Sequence, residues 1–155
     1  KMHSFQRTMT MAEAMNELEL TVTRRIPAPR TKVFEAWLSP PMLAKFMRPG
    51  GSGMTAKATN DPVKGGRFSI IMTDEGKDIP HAGTYLEIDP HSRLAFTWES
   101  PHSRDDSVVT IDFSEPEPGV TEVTLRQVSF HSEQARDSHR GGWAAILDCL
   151  AASTG

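Results

Sequence analysis

The sequence predicts an α+β domain in which a curved antiparallel β-sheet wraps around a long C-terminal α-helix. From Ser132 to about Ala152 the apolar residues recur at helical spacing, so this helix has one apolar stripe that needs a covering surface. Between residues 17 and 130 apolar and polar residues alternate in short runs, which is typical of half-buried strands. Two short helices interrupt the strands after the first one. The stripe of the long helix consists of Trp143, Ile146, Leu147 and Leu150.

The first part of the domain contains one strand and the two short helices. Residues 17–26 predict the strand, which Pro27 ends. Ser39 followed by Pro40 predicts the N-cap and first turn of the second helix. Because glycine costs backbone entropy to order, we expect residues 49–53 to form a mobile loop able to gate a cavity. The residues expected to face inward here are Leu18, Leu20, Val22, Val33, Phe34, Trp37, Leu38, Leu43, Phe46 and Met47.

The second part of the domain predicts six further strands, which we expect to form an antiparallel meander. The predicted runs are residues 54–58, 68–73, 81–88, 93–99, 109–113 and 123–127. In the run 81–88 the alternation places Leu86 and Ile88 on one face, and Tyr85 and Glu87 on the other. In the other runs, the residues expected to face inward are Phe68, Ile70, Met72, Leu94, Phe96, Trp98, Val109, Ile111, Phe113, Val123 and Leu125.

Size and composition restrict the class of protein. The 155 residues suffice for one domain, which we place at residues 17–155, behind a flexible N-terminal tail of residues 1–16. The net charge is −3 with both signs mixed along the chain, so nucleic acid is not expected as a partner. Cys149 is the only cysteine, which excludes an internal disulfide and suits a reducing cytoplasm. No segment is apolar enough to span a bilayer, and we therefore expect a soluble cytoplasmic protein.

Three features of the last strand and the last helix indicate a pocket. His139 lies one turn before Trp143, on the face that points to the sheet, where it either hydrogen-bonds a strand carbonyl or contacts a ligand. Gln127 breaks its own apolar row, and its amide either satisfies a buried backbone group or binds a ligand. The pair Gly141 and Gly142 costs roughly 1 kcal/mol per residue relative to alanine inside a helix, so it needs a packing or functional reason.

Several motifs carry a resemblance to a known family. They are RIPAPR (25–30), VFEAW (33–37), GGRF (65–68), YLEIDP (85–90), RLAFTW (93–98) and HRGGW (139–143). In this order they resemble the family called activator of heat-shock-protein-90 ATPase homologue-like, in the START-like (SRPBCC) superfamily. The resemblance implies the helix-grip fold, with an elongated cavity between helix and sheet that binds lipids, polyketides or other apolar molecules. Phe46 and Met47 stand where many relatives have two tryptophans, so we expect a differently shaped cavity mouth.

The implied cavity leads to a set of candidate ligand-binding residues. They are Phe46, Phe68, Phe96, Trp98, Phe113, Leu125, Gln127, His139 and Trp143. Aromatic residues at alternate strand positions also form plain hydrophobic cores, so each of them has that second interpretation. We expect the remaining histidines to be solvated surface residues. No cofactor and no metal are expected, because the chain has no phosphate loop, nucleophile elbow or helical histidine pair.

Three functions remain open at this point. The first is binding of a small hydrophobic ligand: a lipid, a polyketide or an aromatic compound. The second is a cyclase or hydrolase reaction with His139 as acid or base, assisted by Asp137 or Glu99. The third follows from the family name alone and is a stress-related co-chaperone that stimulates the heat-shock-protein-90 ATPase. The resemblance also implies a possible homodimer.

Overall fold

The computed structural model describes residues 18–154, so the predicted tail of residues 1–16 lies outside the described part of the chain. Within that part the chain forms a seven-stranded, curled antiparallel sheet and three α-helices, and the predicted fold class is confirmed. The strands are β1 (Glu19–Ile26), β2 (Met54–Asn60), β3 (Arg67–Asp74), β4 (Lys77–Asp89), β5 (Arg93–Thr97), β6 (Val108–Glu117) and β7 (Val120–Val128). The helices are α1 (Arg30–Ala36), α2 (Pro40–Phe46) and α3 (Glu133–Thr154).

The sheet has the order β1-β7-β6-β5-β4-β3-β2. Strands β2 to β7 therefore form the predicted meander, and β1 pairs with β7 at one edge. Helices α1 and α2 carry the chain from that edge to the opposite one, where β2 begins. Helix α3 packs along β1 and contacts α1 and α2, which places it across the sheet's inner face. None of the described helices is long and apolar enough to cross a membrane.

Serine caps begin two of the helices. The Ser39 hydroxyl accepts a hydrogen bond from the backbone N–H of Met42 at 3.4 Å, which confirms the predicted start of α2. Before α3, the Ser132 hydroxyl accepts from the backbone N–H of Ala135 at 3.1 Å. Each hydroxyl satisfies a donor that the first turn of a helix leaves free. The Ser132 cap thus defines the first residue of α3, Glu133.

The segment predicted as a mobile loop contains a 3₁₀ turn at Gly51–Gly53. The backbone N–H of Gly50 donates to the sulfur of Met54 at 3.1 Å, so the loop contacts the first residue of β2. Gly51 has φ of +82°, a conformation that favours glycine. Nothing in the described residues tests the mobility of the loop, which stays a prediction.

The apolar stripe of α3 is buried against the sheet, as predicted. Trp143, Ile146, Leu147 and Leu150 are at most 3% exposed. The inward residues predicted for β3, β5, β6 and β7 are also buried, so the alternation was assigned correctly in these strands. One continuous hydrophobic core results, between the inner face of the sheet and the three helices.

The prediction for strand β4 was wrong at Leu86. A β-bulge between Tyr85 and Glu87 interrupts the pairing of β4 with β5. The extra residue reverses the alternation, so Tyr85 is 3% exposed and Leu86 is 42% exposed. The buried Tyr85 hydroxyl accepts a hydrogen bond from the side-chain amide of Asn60 at 3.1 Å. Leu86, which the alternation grouped with Ile88, therefore faces outward, whereas Tyr85 before the bulge and Ile88 after it both face the core.

Candidate functional site

A cavity of about 280 Å³ lies between α3 and the inner face of the sheet. Helix α3 forms one wall, strands β2 to β4 form the opposite wall, and the residues after β5 close one end. Pro49, from the loop before β2, lies at the rim. The lining residues are Pro49, Met54, Met72, Ile79, His81, Trp98, Ser100, His102, Ser138, His139, Gly142, Trp143 and Ile146.

Two tryptophans form the aromatic part of the wall. The ring centroids of Trp98 and Trp143 lie 4.8 Å apart, with an angle of 56° between the ring planes. The His81 ring also packs on Trp98, with the two ring centroids 5.0 Å apart. Since the methionine and isoleucine side chains complete this wall, most of the cavity surface is apolar.

His139 is held by its own helix. Its Nδ1 lies 2.8 Å from the carbonyl oxygen of Ala135, one turn earlier in α3. A carbonyl can only accept, so the neutral imidazole carries its proton on Nδ1 and presents a lone pair on Nε2. That Nε2 lies 3.5 Å from the hydroxyl of Ser103, and the ring packs against Phe130 with centroids 5.3 Å apart. The imidazole is thus oriented by Ala135, and His139 lines the cavity with its Nε2 in only a long contact to Ser103.

Burial lowers the pKa of both His81 and His139 below the ordinary value of 6.5. Both imidazoles are therefore neutral at neutral pH. The Nδ1 of His81 is buried and has no hydrogen-bond partner among the described residues. The polar groups of this cavity are consequently neutral rings and hydroxyls rather than fixed charges.

The free energy of unfolding is expected to decrease as the pH falls below about 6.5. In the unfolded chain both imidazoles regain the ordinary pKa of 6.5, so between that pH and their lowered pKa the unfolded state binds more protons. The stabilisation is complete above pH 6.5 and is lost as the pH falls through the lowered pKa values. Urea unfolding between pH 8 and pH 5 measures this slope.

The double variant His81→Gln/His139→Gln is expected to show a smaller slope in this range. The matched control is His131→Gln, since His131 is exposed. The pKa values of Glu99 and Glu115 are also lowered, the first by its hydrogen bond from Arg67 and the second by backbone N–H groups, but carboxylates contribute at lower pH. An equal slope in the double variant and the wild type would contradict the burial of the two histidines.

Three of the nine candidate ligand-binding residues line the cavity: Trp98, His139 and Trp143. Phe68 and Phe96 lie behind Trp98, around a second gap of only about 10 Å³, which is close to the space that one water needs. The remaining apolar candidates are core residues at most 4% exposed: Phe46, Phe113 and Leu125. Phe46 packs on Trp37 and Phe113 on Phe34, with ring centroids 5.0 and 5.2 Å apart.

Gln127 lies in the core beneath the cavity wall. Its side-chain oxygen accepts a hydrogen bond from the indole N–H of Trp143 at 2.6 Å, and its amide nitrogen donates to the Ser107 hydroxyl at 2.8 Å. The Ser107 hydroxyl in turn donates to the carbonyl of Val128 at 2.9 Å. Both ends of the amide are therefore used within the protein, and Gln127 orients the indole of Trp143.

The two carboxylates considered as partners of His139 are paired elsewhere. Asp137 binds Arg136 and Arg140, at 3.0 and 3.1 Å. Glu99 accepts two hydrogen bonds from Arg67, at 2.8 and 3.0 Å. The structure does not assemble a carboxylate–histidine pair from these residues. The described residues also contain no group of three or more histidine, cysteine or acidic side chains arranged to hold a metal ion.

Two histidines expected at the solvated surface line the cavity, and only His81 departs from that expectation. His81 is half-buried, because β4 begins at Lys77 rather than at residue 81. With that start, Ile79, His81 and Tyr85 share the inner face, and this period-two pattern was the missed signal. His102 is exposed but borders the cavity from the segment between β5 and β6, for which the sequence carries no periodic signal.

Comparisons with known proteins agree with this fold. The family model named Activator of Hsp90 ATPase homolog 1-like protein matches residues 27–155. Among solved structures, protein CV1439 from Chromobacterium violaceum is 25% identical, and the match covers 88% of this chain and 96% of that one with a TM-score of 0.79. An AHSA1-like protein from Aeromonas hydrophila is 24% identical, with 88% and 91% covered and a TM-score of 0.76.

A third similar structure is that of CalU16 from Micromonospora echinospora, which is 24% identical, with 88% of this chain and 76% of that chain covered and a TM-score of 0.67. No curated protein matches the chain.

Proposed function

The chain belongs to the Activator of Hsp90 ATPase homolog 1-like family, and we propose that it binds a small hydrophobic molecule, such as a lipid, polyketide or aromatic compound, between α3 and the sheet. The cavity of about 280 Å³ is the observation that carries this proposal. Its apolar wall supplies the binding energy, and its few neutral polar groups orient the ligand. A cytoplasmic location is part of the proposal, because Cys149 is a free thiol.

The glycine pair of α3 supports the proposal. Gly142 lines the cavity, and a Cβ built there would lie 3.9 Å from the Cβ of Pro49, in ordinary contact. A Cβ at Gly141 would meet no atom within 4 Å. Any side chain larger than alanine at residue 142 would therefore extend into the space between α3 and the rim. The absence of a side chain there keeps the cavity open.

Gly142→Leu is expected to weaken ligand binding by at least about 100-fold, because the leucine side chain occupies the cavity. The protein as purified is first analysed by native mass spectrometry, and a panel of fatty acids, polyketides and aromatic compounds is then screened by thermal shift. A shift that grows with ligand concentration identifies the ligand class. Isothermal titration then compares the dissociation constants of the variant and the wild type.

Gly141→Leu is the matched control. Both variants replace a helical glycine by leucine, and this replacement stabilises a helix by about 1 kcal/mol. A general effect on α3 therefore appears in both variants. Only Gly142→Leu is expected to lose the ligand. Equal binding by the two variants would place the ligand elsewhere, and an absent response to the whole panel would leave the cavity without a ligand. Stimulation of a heat-shock-protein-90 ATPase would then be the next measurement, as the family name indicates.

Catalysis by His139 is a second candidate function. It is favoured by one observation, the neutral imidazole that Ala135 orients through Nδ1, with an Nε2 lone pair whose one protein neighbour among the described residues is the Ser103 hydroxyl at 3.5 Å. A base of this kind can take a proton from a bound polyketide-like substrate. Mass spectrometry of the ligand before and after incubation with the protein separates the two functions, because a binding protein releases its ligand unchanged.

A further inference from the structure

All ionisable side chains that line the cavity are histidines. His81 comes from β4, His102 from the segment between β5 and β6, and His139 from α3. The described lining residues include no lysine, arginine, aspartate or glutamate. An imidazole is neutral or positive, so the ionisable lining of the cavity can carry only zero or positive charge. It never becomes negative.

The charged groups outside the cavity lie at the protein surface. In the segment beside His102, Arg104 pairs with Asp106 at 3.0 Å, and Asp105 is exposed. His131 is exposed in the outer groove that also contains His102 and His139. No carboxylate among the described residues makes an ion pair with any of the three cavity histidines. Any positive charge on them is therefore left without a protein partner.

The first turns of α3, which precede and include His139, also carry charged side chains. There Asp137 is shared by Arg136 and Arg140, and Glu133 lies 3.9 Å from Arg136. These groups form a surface chain in which acidic and basic side chains neutralise each other. None of these four residues lines the cavity, so they supply no anion to it.

We propose that the cavity takes a small apolar carboxylic acid, bound as the carboxylate against His81, His102 and His139. This inference rests on the proposed ligand-binding function and names its ligand class. A carboxylate only accepts hydrogen bonds, and an imidazolium donates from both ring nitrogens. On protonation His139 donates from Nε2, since Nδ1 already donates to Ala135. The Nδ1 of His81 is closed off from solvent, so His81 contributes the positive charge of its ring to the cavity rather than a hydrogen bond from that atom.

Binding of the acid is coupled to proton uptake by the cavity. Burial is the main cause that lowers the pKa of His81 and His139, and the charges of the neighbouring histidines lower it further. A bound carboxylate opposes both effects, because it stabilises the charged form of each ring. The affinity for the acid therefore rises as the pH falls towards the pKa of the free histidines. An amine has no anionic partner in the lining and is repelled under the same conditions.

The volume restricts the ligand further. A cavity of about 280 Å³ lies just below the range of about 300–1,000 Å³ that is usual for ligand sites. The acid therefore has an apolar body of one or two rings, or a short alkyl chain, rather than the long chain of a membrane fatty acid. Trp98 and Trp143 provide the surface on which such a body packs.

The test uses four probes with the same two-ring body: naphthalene-2-carboxylate, 2-naphthol, naphthalen-2-ylmethanamine and 2-methylnaphthalene. Isothermal titration between pH 8 and pH 6 is expected to show the carboxylate as the tightest ligand. Its affinity is expected to rise by up to about tenfold per pH unit, as for the uptake of one proton. Titrations in buffers with different ionisation enthalpies count the protons taken up. The amine is expected not to bind.

His81→Gln/His139→Gln is expected to bind the carboxylate at least about tenfold more weakly and with a smaller pH dependence than the wild type. The matched control His131→Gln is expected to bind as the wild type does. Tighter binding of the naphthol or the methylnaphthalene would overturn the acid as ligand and leave the hydrophobic cavity in place. Equal binding of amine and acid, or an acid affinity independent of pH, would also overturn it. Failure of all four probes would overturn both the acid and the proposed function for ligands of this size.

Discussion

Replacing Trp98 by alanine is expected to lower the free energy of unfolding by about 3–5 kcal/mol. Trp98 is 3% exposed and packs between His81 and Trp143 on the cavity side, and near Phe68 and Phe96 on the core side. Its removal forfeits these contacts and joins the cavity to the small gap behind the indole. Urea unfolding monitored by circular dichroism measures the loss.

His102→Ala is the matched control, since His102 lines the same cavity but is exposed. Its effect on stability is expected to stay within about 0.5 kcal/mol. If Trp98→Ala proves too unstable to purify, Trp98→Leu retains part of the packing and is expected to lose less. A loss below about 1 kcal/mol in Trp98→Ala would mean that the indole is not a packed wall, because truncation of a buried tryptophan normally costs several times more.

The fold was predictable because it depends on patterns that the chain repeats. The period-two rows of β3, β5, β6 and β7 and the helical stripe around Trp143 each specify one buried face, and the observed fold buries all of them together. Ser39 and Ser132 mark helix starts by local chemistry. Leu86 was misplaced because a bulge adds a residue without any local composition signal.

The candidate site was less predictable, because it depends on how far each side chain stands from the middle of the core. Phe68 and Trp98 are both aromatic residues on inward-facing positions of the sheet, yet Trp98 lines the cavity and Phe68 lies behind it. The sequence left Gln127 with either a buried backbone group or a ligand as its partner, and the structure shows a third arrangement, with its amide bonded to the side chains of Trp143 and Ser107. His102 belongs to an irregular segment, so its place at the cavity follows from the packing of the whole domain.

Gly83→Ala is expected to destabilise the protein by about 3 kcal/mol, at the upper end of the usual cost of overpacking. Gly83 in β4 pairs directly with Phe68 in β3. A Cβ at this position would lie 2.6 Å from Cε2 of the Phe68 ring and closer still to the backbone carbonyl oxygen of Thr97. Either the ring or the strand must move, and neither is the end of a flexible chain. Urea unfolding measures the cost.

Gly53→Ala is the control for the loss of a glycine, because a Cβ there meets no atom within 4 Å and the backbone has no positive φ. It is expected to change stability by less than about 0.5 kcal/mol. The consequence of Gly83→Ala extends to the cavity, since the Phe68 ring lies behind Trp98 with centroids 6.3 Å apart. A shift of Phe68 towards Trp98 presses the indole into the cavity and weakens ligand binding. Unchanged stability in Gly83→Ala would show that β4 and the Phe68 ring separate easily, and the wall behind Trp98 would then be soft rather than close-packed.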